Sequence, residues 1–112
     1  MINSQLKNDI RYITINRADK ANAITAEMLD ELIRIVSQSN KNKAVIISGS
    51  GKVFSAGADL DEVKKNGLAT SPNWELLSDR THRLPCITIA ALNGTVAGGA
   101  MGMVLALSLI HI

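Results

Sequence analysis

Val53-Phe54-Ser55-Ala56-Gly57-Ala58-Asp59-Leu60 is the stretch on which the reading of this chain turns. It passes from apolar residues through a small, flexible Ala/Gly segment to an acidic start for a helix. Asp59, Asp61 and Glu62 precede Lys64 and Lys65, the order of charge that favours a short helix beginning near Asp59. Just upstream, Ala44-Val45-Ile46-Ile47 is a wholly apolar run, the signature of a strand covered on both faces, and Gly49-Ser50-Gly51 turns the chain after it. The arrangement returns further along. Ile87-Thr88-Ile89-Ala90-Ala91-Leu92 reads as a second apolar strand, and Asn93-Gly94 as a turn. Ala97-Gly98-Gly99-Ala100-Met101-Gly102 can then open another helix.

The flanking sequence fits alternating strands and helices. Tyr12-Ile13-Thr14-Ile15 is β-branched and aromatic after the polar Lys7-Asn8-Asp9, and predicts a strand. Residues 17–22 are polar and turn-like. Thr25 is placed to cap a helix running to about Ser39, with Met28, Leu29, Leu32, Ile33, Ile35 and Val36 on one side and Glu27, Asp30, Glu31 and Arg34 on the other. Residues 67–73 read as a loop and 74–84 as a helix with Trp74, Leu77 and Leu84 in its apolar set. Alternation of this kind indicates an α/β or mixed layered fold.

Composition narrows the function. With 112 residues, 46% of them hydrophobic and 20% charged, the chain suits a packed core of one-domain size. Aromatics are only 3%, so Ile, Leu, Val, Ala and Met must build that core. A net charge of +2 with mixed signs argues against a nucleic-acid or polybasic membrane footprint. One cysteine excludes a disulfide framework and a multi-cysteine metal site. No secretory leader is evident at the start, so a cytoplasmic location is expected.

Several motifs fail on inspection. Gly49-Ser50-Gly51-Lys52 resembles a phosphate loop, but Ile46 and Val53 stand where that motif needs glycine and a hydroxyl residue, and Phe54 breaks the dinucleotide pattern. Cys86, at a strand start, reads as a buried structural thiol, and His82, between Arg80 and Arg83, as a surface residue. No His or carboxylate pair has metal-ligand spacing. Residues 86–112 contain no charged side chain and set Gly94, Gly98 and Gly102 at four-residue spacing, which admits a membrane span. The central Asn93-Gly94 turn, the β-rich run before it and the lack of aromatic belts argue against one.

The glycine-rich loops carry the functional reading. Two helix starts can present backbone N–H groups to one polarised oxygen, and the small residues at Ala58 and Gly99 let a carbonyl approach the main chain. Spacing along the chain does not show whether the two loops meet.

Phe54-Ser55-Ala56-Gly57-Ala58-Asp59-Leu60, then Ile89-Ala90-Ala91-Leu92-Asn93-Gly94 and Gly98-Gly99, resemble the crotonase family of enoyl-CoA hydratases and isomerases. Arg17 followed by Asn22-Ala23-Ile24 looks like that family's first coenzyme A loop. The resemblance implies an α/β fold, a crotonase-like spiral of ββα units, here truncated after the second oxyanion-hole loop. It also implies an acyl-CoA thioester substrate, with coenzyme A present only as part of it, no bound cofactor or metal, and a homotrimer or hexamer. By resemblance the N–H groups of Ala58 and Gly99 form the oxyanion hole. Ala21, Asn22, Ala23, Ala56, Gly57, Ala58, Asp59, Leu60, Asp61, Gly98 and Gly99 would line the substrate site.

Two departures matter. Family hydratases carry a glutamate three residues after the second oxyanion glycine, where this chain has Gly102, and a further acid later in their sequence. The reaction is therefore left open among hydration, isomerisation, decarboxylation and hydrolysis, and a non-catalytic thioester-binding protein is the alternative. Where the family often has a basic residue after the Asp-Leu pair, Asp61 stands here, leaving Lys64 or Lys65 to reach a coenzyme A phosphate. The family domain is also longer than this chain, so residues 1–106 are expected to be its N-terminal part, inactive alone. Leu107-Ser108-Leu109-Ile110-His111-Ile112 does not follow the family pattern and matches a translation of the transposon-end adaptor CTG TCT CTT ATA CAC ATC. The expectation is that residues 107–112 are adaptor-derived, leaving His111 without a role.

Overall fold

The computed structural model describes residues 1–107 fully and the backbone of 109–111. The side chains of 108–112, on which the expected adaptor-derived tail mostly falls, lie outside the described residues.

A polar N-terminal segment that gave no strand signal forms β1 (Ile2–Lys7), which pairs antiparallel with β2 (Ile10–Ile15) in register from Ile2↔Ile15 to Lys7↔Ile10. The two-residue connection explains the hairpin. Asn8 and Asp9 both take positive φ, 53° and 66°, as a turn matched to strand twist requires, and they are residue types that tolerate it. The chain then makes a 3-10 turn at Ala18–Lys20 and enters α1 (Ala26–Ser37). Thr25 caps α1, its hydroxyl accepting from Met28 N at 3.1 Å. Met28, Leu29, Leu32, Ile35 and Val36 of α1 are buried, as their spacing predicts, and Ile33 is half-buried against them.

Next come β3 (Ala44–Gly49), the short β4 (Val53–Ser55), α2 (Leu60–Asn66), a 3-10 turn at Leu68–Thr70, and α3 (Asn73–His82). After these come β5 (Ile87–Ala91), β6 (Thr95–Val96), α4 (Gly99–Leu105) and β7 (Leu109–His111). The larger sheet has the order β1-β2-β3-β5-β7, parallel from β2 onward, and β4 pairs with β6 in a second, two-stranded parallel sheet. The repeats beginning at β3 and β5 thus each send one strand to each sheet before their helices, as a spiral of ββα units requires, whereas β1 and β2 both join the larger sheet.

One face of the larger sheet carries Ile13, Ile15, Val45, Ile47 and Ala90, all at most 1% exposed, and packs with α1, Leu77 of α3 and Met103 and Val104 of α4. Truncating a side chain such as Leu32 in this core would cost about 2–5 kcal/mol. The expectation that Ala44-Val45-Ile46-Ile47 is covered on both faces is not met. Val45 and Ile47 are buried, whereas Ala44 and Ile46 are only half-buried and share their face with exposed Tyr12 and Ile87. The helices gather on one side of this sheet. Among the described residues no helix is long and apolar enough to cross a membrane.

Candidate active site

The second, small sheet assembles the site. β4 and β6 run side by side, and Ala97 N donates to Ser55 O at 3.0 Å where they end, so the loops that follow leave together. Gly57 (φ 94°) and Gly98 (φ 58°) then bring those loops into main-chain contact. A Cβ on Gly57 would stand 2.8 Å from Ala97 O and 3.3 Å from Gly99 N, and one on Gly98 would stand 3.4 Å from the Gly57 Cα. At Gly57 both the positive φ and the contact demand glycine, and at Gly98 the positive φ does. The loops do meet.

The hydrogen bonds of the first loop leave one donor over. Gly57 N donates to Ser55 Oγ at 3.1 Å and Asp59 N to Ile24 O at 2.8 Å, while Ile24 N donates to Gly57 O at 2.7 Å. Ala58, between them, has no acceptor for its N–H among the described residues, and the same holds for Gly99 at the start of α4. Ala58 and Gly99 line one cavity of about 390 Å³ with Ala56, Leu60, Val63, Ala69, Trp74 and Gly98, a lining without a charged side chain. A second cavity, of about 320 Å³, is lined by Lys20, Ala23, Ala56, Ala58, Asp59, Leu60 and Asp61. The two share Ala56, Ala58 and Leu60. The Ala58 N–H therefore sits where a charged groove meets an apolar one.

The residues expected to touch a ligand divide into two groups. Ala23, Ala56, Ala58, Asp59, Leu60, Asp61, Gly98 and Gly99 line one or both cavities. Ala21, Asn22 and Gly57 line neither and act as framework. Asn22 is fully buried, and its Oδ1 accepts from Arg17 N at 2.8 Å while its Nδ2 donates to Ser50 O at 2.8 Å and Val53 O at 2.7 Å. Ala21 and Asn22 both have positive φ, and Ala21 O accepts from Ala56 N at 3.0 Å, so this turn clamps the first loop.

Asp59 serves partly as framework too. Its Oδ1 accepts from Glu62 N at 3.2 Å as the cap of α2, and its Oδ2 meets Arg17 Nη1 at 2.7 Å. The hydrogen bond from the Arg17 guanidinium, helped by that from Glu62 N, holds the Asp59 carboxyl below its ordinary 3.8. Glu62, beyond giving α2 a negative first turn, accepts from Ala26 N at 3.0 Å.

Two contributors, Lys20 and Trp74, had no functional signal in the sequence, whereas Arg17 belonged to the stretch resembling the family's first coenzyme A loop. Lys20 lines the charged cavity, while Lys64 and Lys65 are exposed on α2 outside its lining. Arg17 ties the two loops, and Trp74 walls the apolar cavity. Gly102 is exposed on α4, where a Cβ would make only an ordinary 3.5 Å contact with Ser78 Oγ. His82 is at the surface, as expected. Cys86 is half-buried, and burial pushes its thiol up from 9.0, the behaviour of an inert packing residue. Among the described residues no group of three or more His, Cys, Asp or Glu could hold a metal ion.

With this geometry, the chain belongs to the enoyl-CoA hydratase/isomerase family, which it matches over residues 5–111 and which places it in the crotonase superfamily. It is 39% identical to the Bacillus subtilis protein YngF, which carries the name enoyl-CoA hydratase/isomerase, over 93% of this chain and 44% of that one. It is 33% identical to the ethylmalonyl-CoA decarboxylase of Rattus norvegicus over 83% of this chain and 34% of that one. The crystal structure of an enoyl-CoA hydratase from Bacillus anthracis superposes with a TM-score of 0.86 at 30% identity, covering 97% of this chain and 46% of the other. The chain spans less than half the length of these relatives.

Proposed function

We propose that this chain is the N-terminal part of an acyl-CoA enzyme and supplies the groups that polarise the thioester carbonyl. The N–H groups of Ala58 and Gly99 donate to the thioester oxygen and stabilise the enolate that forms when electrons move onto it. The observation that carries this reading is the pair of donors, unpaired among the described residues, brought together by the Gly57–Gly98 contact at the junction of a charged and an apolar cavity. Coenzyme A would occupy the groove beside Lys20 and Ala23, with the acyl group on the side of Val63 and Trp74.

Relatives named for hydration, isomerisation and decarboxylation fit the same requirement. Addition of water at the β-carbon pushes a pair of electrons toward the carbonyl, and so does loss of carbon dioxide from the α-carbon. A preorganised donor serves either, and one such donor contributes roughly 2.7–4 kcal/mol to lowering the barrier. The acid and base that choose between the reactions come from outside this site. Gly102 favours a second reading, a non-catalytic thioester-binding protein, because it stands where the resemblance places a hydratase glutamate.

Isotope-edited infrared spectroscopy of acyl-CoA bound to the intact protein tests the assignment. The carbonyl stretch is expected to move to lower frequency on binding, and to move back in Ala58→Pro, which removes one donor. A carbonyl band at its solution position in the bound wild type would sink it.

A further inference from the structure

We infer that the indole of Trp74 is the wall against which the acyl group packs, and that it sets the length of apolar chain the site accepts. This rests on the acyl-CoA reading above.

Trp74 is held from two sides. Its Nε1 donates to Leu68 O at 3.0 Å, and its six-membered ring lies against Gly99: a Cβ there would stand 2.7 Å from Cε3, 2.8 Å from Cδ2 and 2.9 Å from Cζ3. Gly99 is therefore small for two reasons. It exposes its own N–H, and it makes room for the indole beside that donor. An acyl chain whose carbonyl oxygen meets Ala58 and Gly99 has the indole next to it, with Val63 and Ala69 along the same cavity. The only polar atom of the indole is already engaged with Leu68, so the ring presents an apolar surface with its orientation fixed. A rigid wall limits chain length more sharply than a flexible aliphatic side chain, which can turn aside.

Free CoA, butanoyl-CoA and dodecanoyl-CoA, titrated by calorimetry and fluorescence into the intact protein, provide the test. Subtracting the Trp74→Phe emission spectrum from the wild-type spectrum isolates Trp74. Both acyl-CoA compounds are expected to shift or quench that emission, while free CoA binds and leaves it in place. In Trp74→Ala the affinity for dodecanoyl-CoA relative to butanoyl-CoA is expected to rise at least fivefold. Acyl-CoA that binds by calorimetry without moving Trp74 emission overturns the inference, and so does an unchanged affinity ratio in Trp74→Ala. If Trp74→Ala fails to fold, the emission result decides alone. Failure of free CoA and acyl-CoA alike to bind the wild type overturns the acyl-CoA reading and this inference with it.

Discussion

Arg17 Nη1 lies 2.7 Å from Asp59 Oδ2 and donates from the same nitrogen to Ala23 O at 3.0 Å. One guanidinium thus joins the turn after β2 to the cap of α2, on either side of the groove beside Lys20. Both side chains are largely shielded, at 19% and 12% exposure, so the pair is less open to solvent than an ordinary surface bridge.

Acid should expose this link. Because Arg17 lowers the Asp59 carboxyl below 3.8, the folded state binds that proton more weakly than the unfolded chain. The stabilisation is complete above the unfolded value and fades as pH falls through the depressed folded one. Asp59→Asn keeps a capping side chain and removes the titration. Its melting temperature should fall less steeply than that of the wild type below about pH 4. Parallel curves would show that the pair does not couple to folding.

Asn22→Ala should be among the most damaging changes outside the core. It would leave Arg17 N and Ser50 O without their side-chain partner, reduce Val53 O to its bond from Asn93 Nδ2, and put alanine in a left-handed conformation. A loss of about 2–4 kcal/mol is expected from chemical denaturation, since each buried group left unsatisfied costs about 1–3 kcal/mol. A loss below 1 kcal/mol would mean that the turn re-forms with water.

Gly57→Ala should separate structure from chemistry. The added Cβ would press on Ala97 O and Gly98 Cα and push the loops apart. Activity of the intact enzyme should fall roughly 100- to 1000-fold, the size of losing one oxyanion donor, in protein that still melts cooperatively. Near-normal kcat in a folded variant would contradict the role given to the loop contact.

Gly102→Ala is expected to act in the opposite direction. The position is helical and exposed, with room for a methyl group beside Ser78. Stability should rise by about 0.5–1 kcal/mol, read as an increase in denaturant midpoint. A decrease would show that something besides Ser78 meets the new methyl group.

Much of the frame was legible because periodicity and capping are local. The helix after Thr25, the strand runs at residues 44–47 and 87–92 and the helix starts at Asp59 and Gly99 all declare themselves within a few residues. β1 did not, since an edge strand whose residues are mostly exposed needs no apolar alternation; only Asn8-Asp9 hints at the hairpin. Nor could sequence show that Ala58 and Gly99 converge, because that depends on a two-stranded sheet with one strand of only two residues. Lys20 and Trp74, and the bond by which Arg17 reaches Asp59, escaped for a related reason. Each takes its role from a partner or cavity built by residues distant in sequence, while Ala44 and Ile46 look buried on composition alone and are not.

The two donors assigned to the proposed oxyanion hole, unpaired among the described residues, belong to the peptide backbone, and this decides how such a site can be damaged. Replacing Ala58 with most residues keeps its N–H, and Gly99→Ala would act by pressing on the Trp74 ring rather than by removing a donor, so an alanine scan would not probe the proposed donors directly. It would report their supports instead: Asn22, Arg17 and the glycine that keeps the loops in contact. Peptide N–H groups also do not titrate in the physiological range. Under the proposed assignment, any pH dependence of turnover in the intact protein must therefore come from other residues, and its apparent pKa reports an acid or base elsewhere rather than these donors.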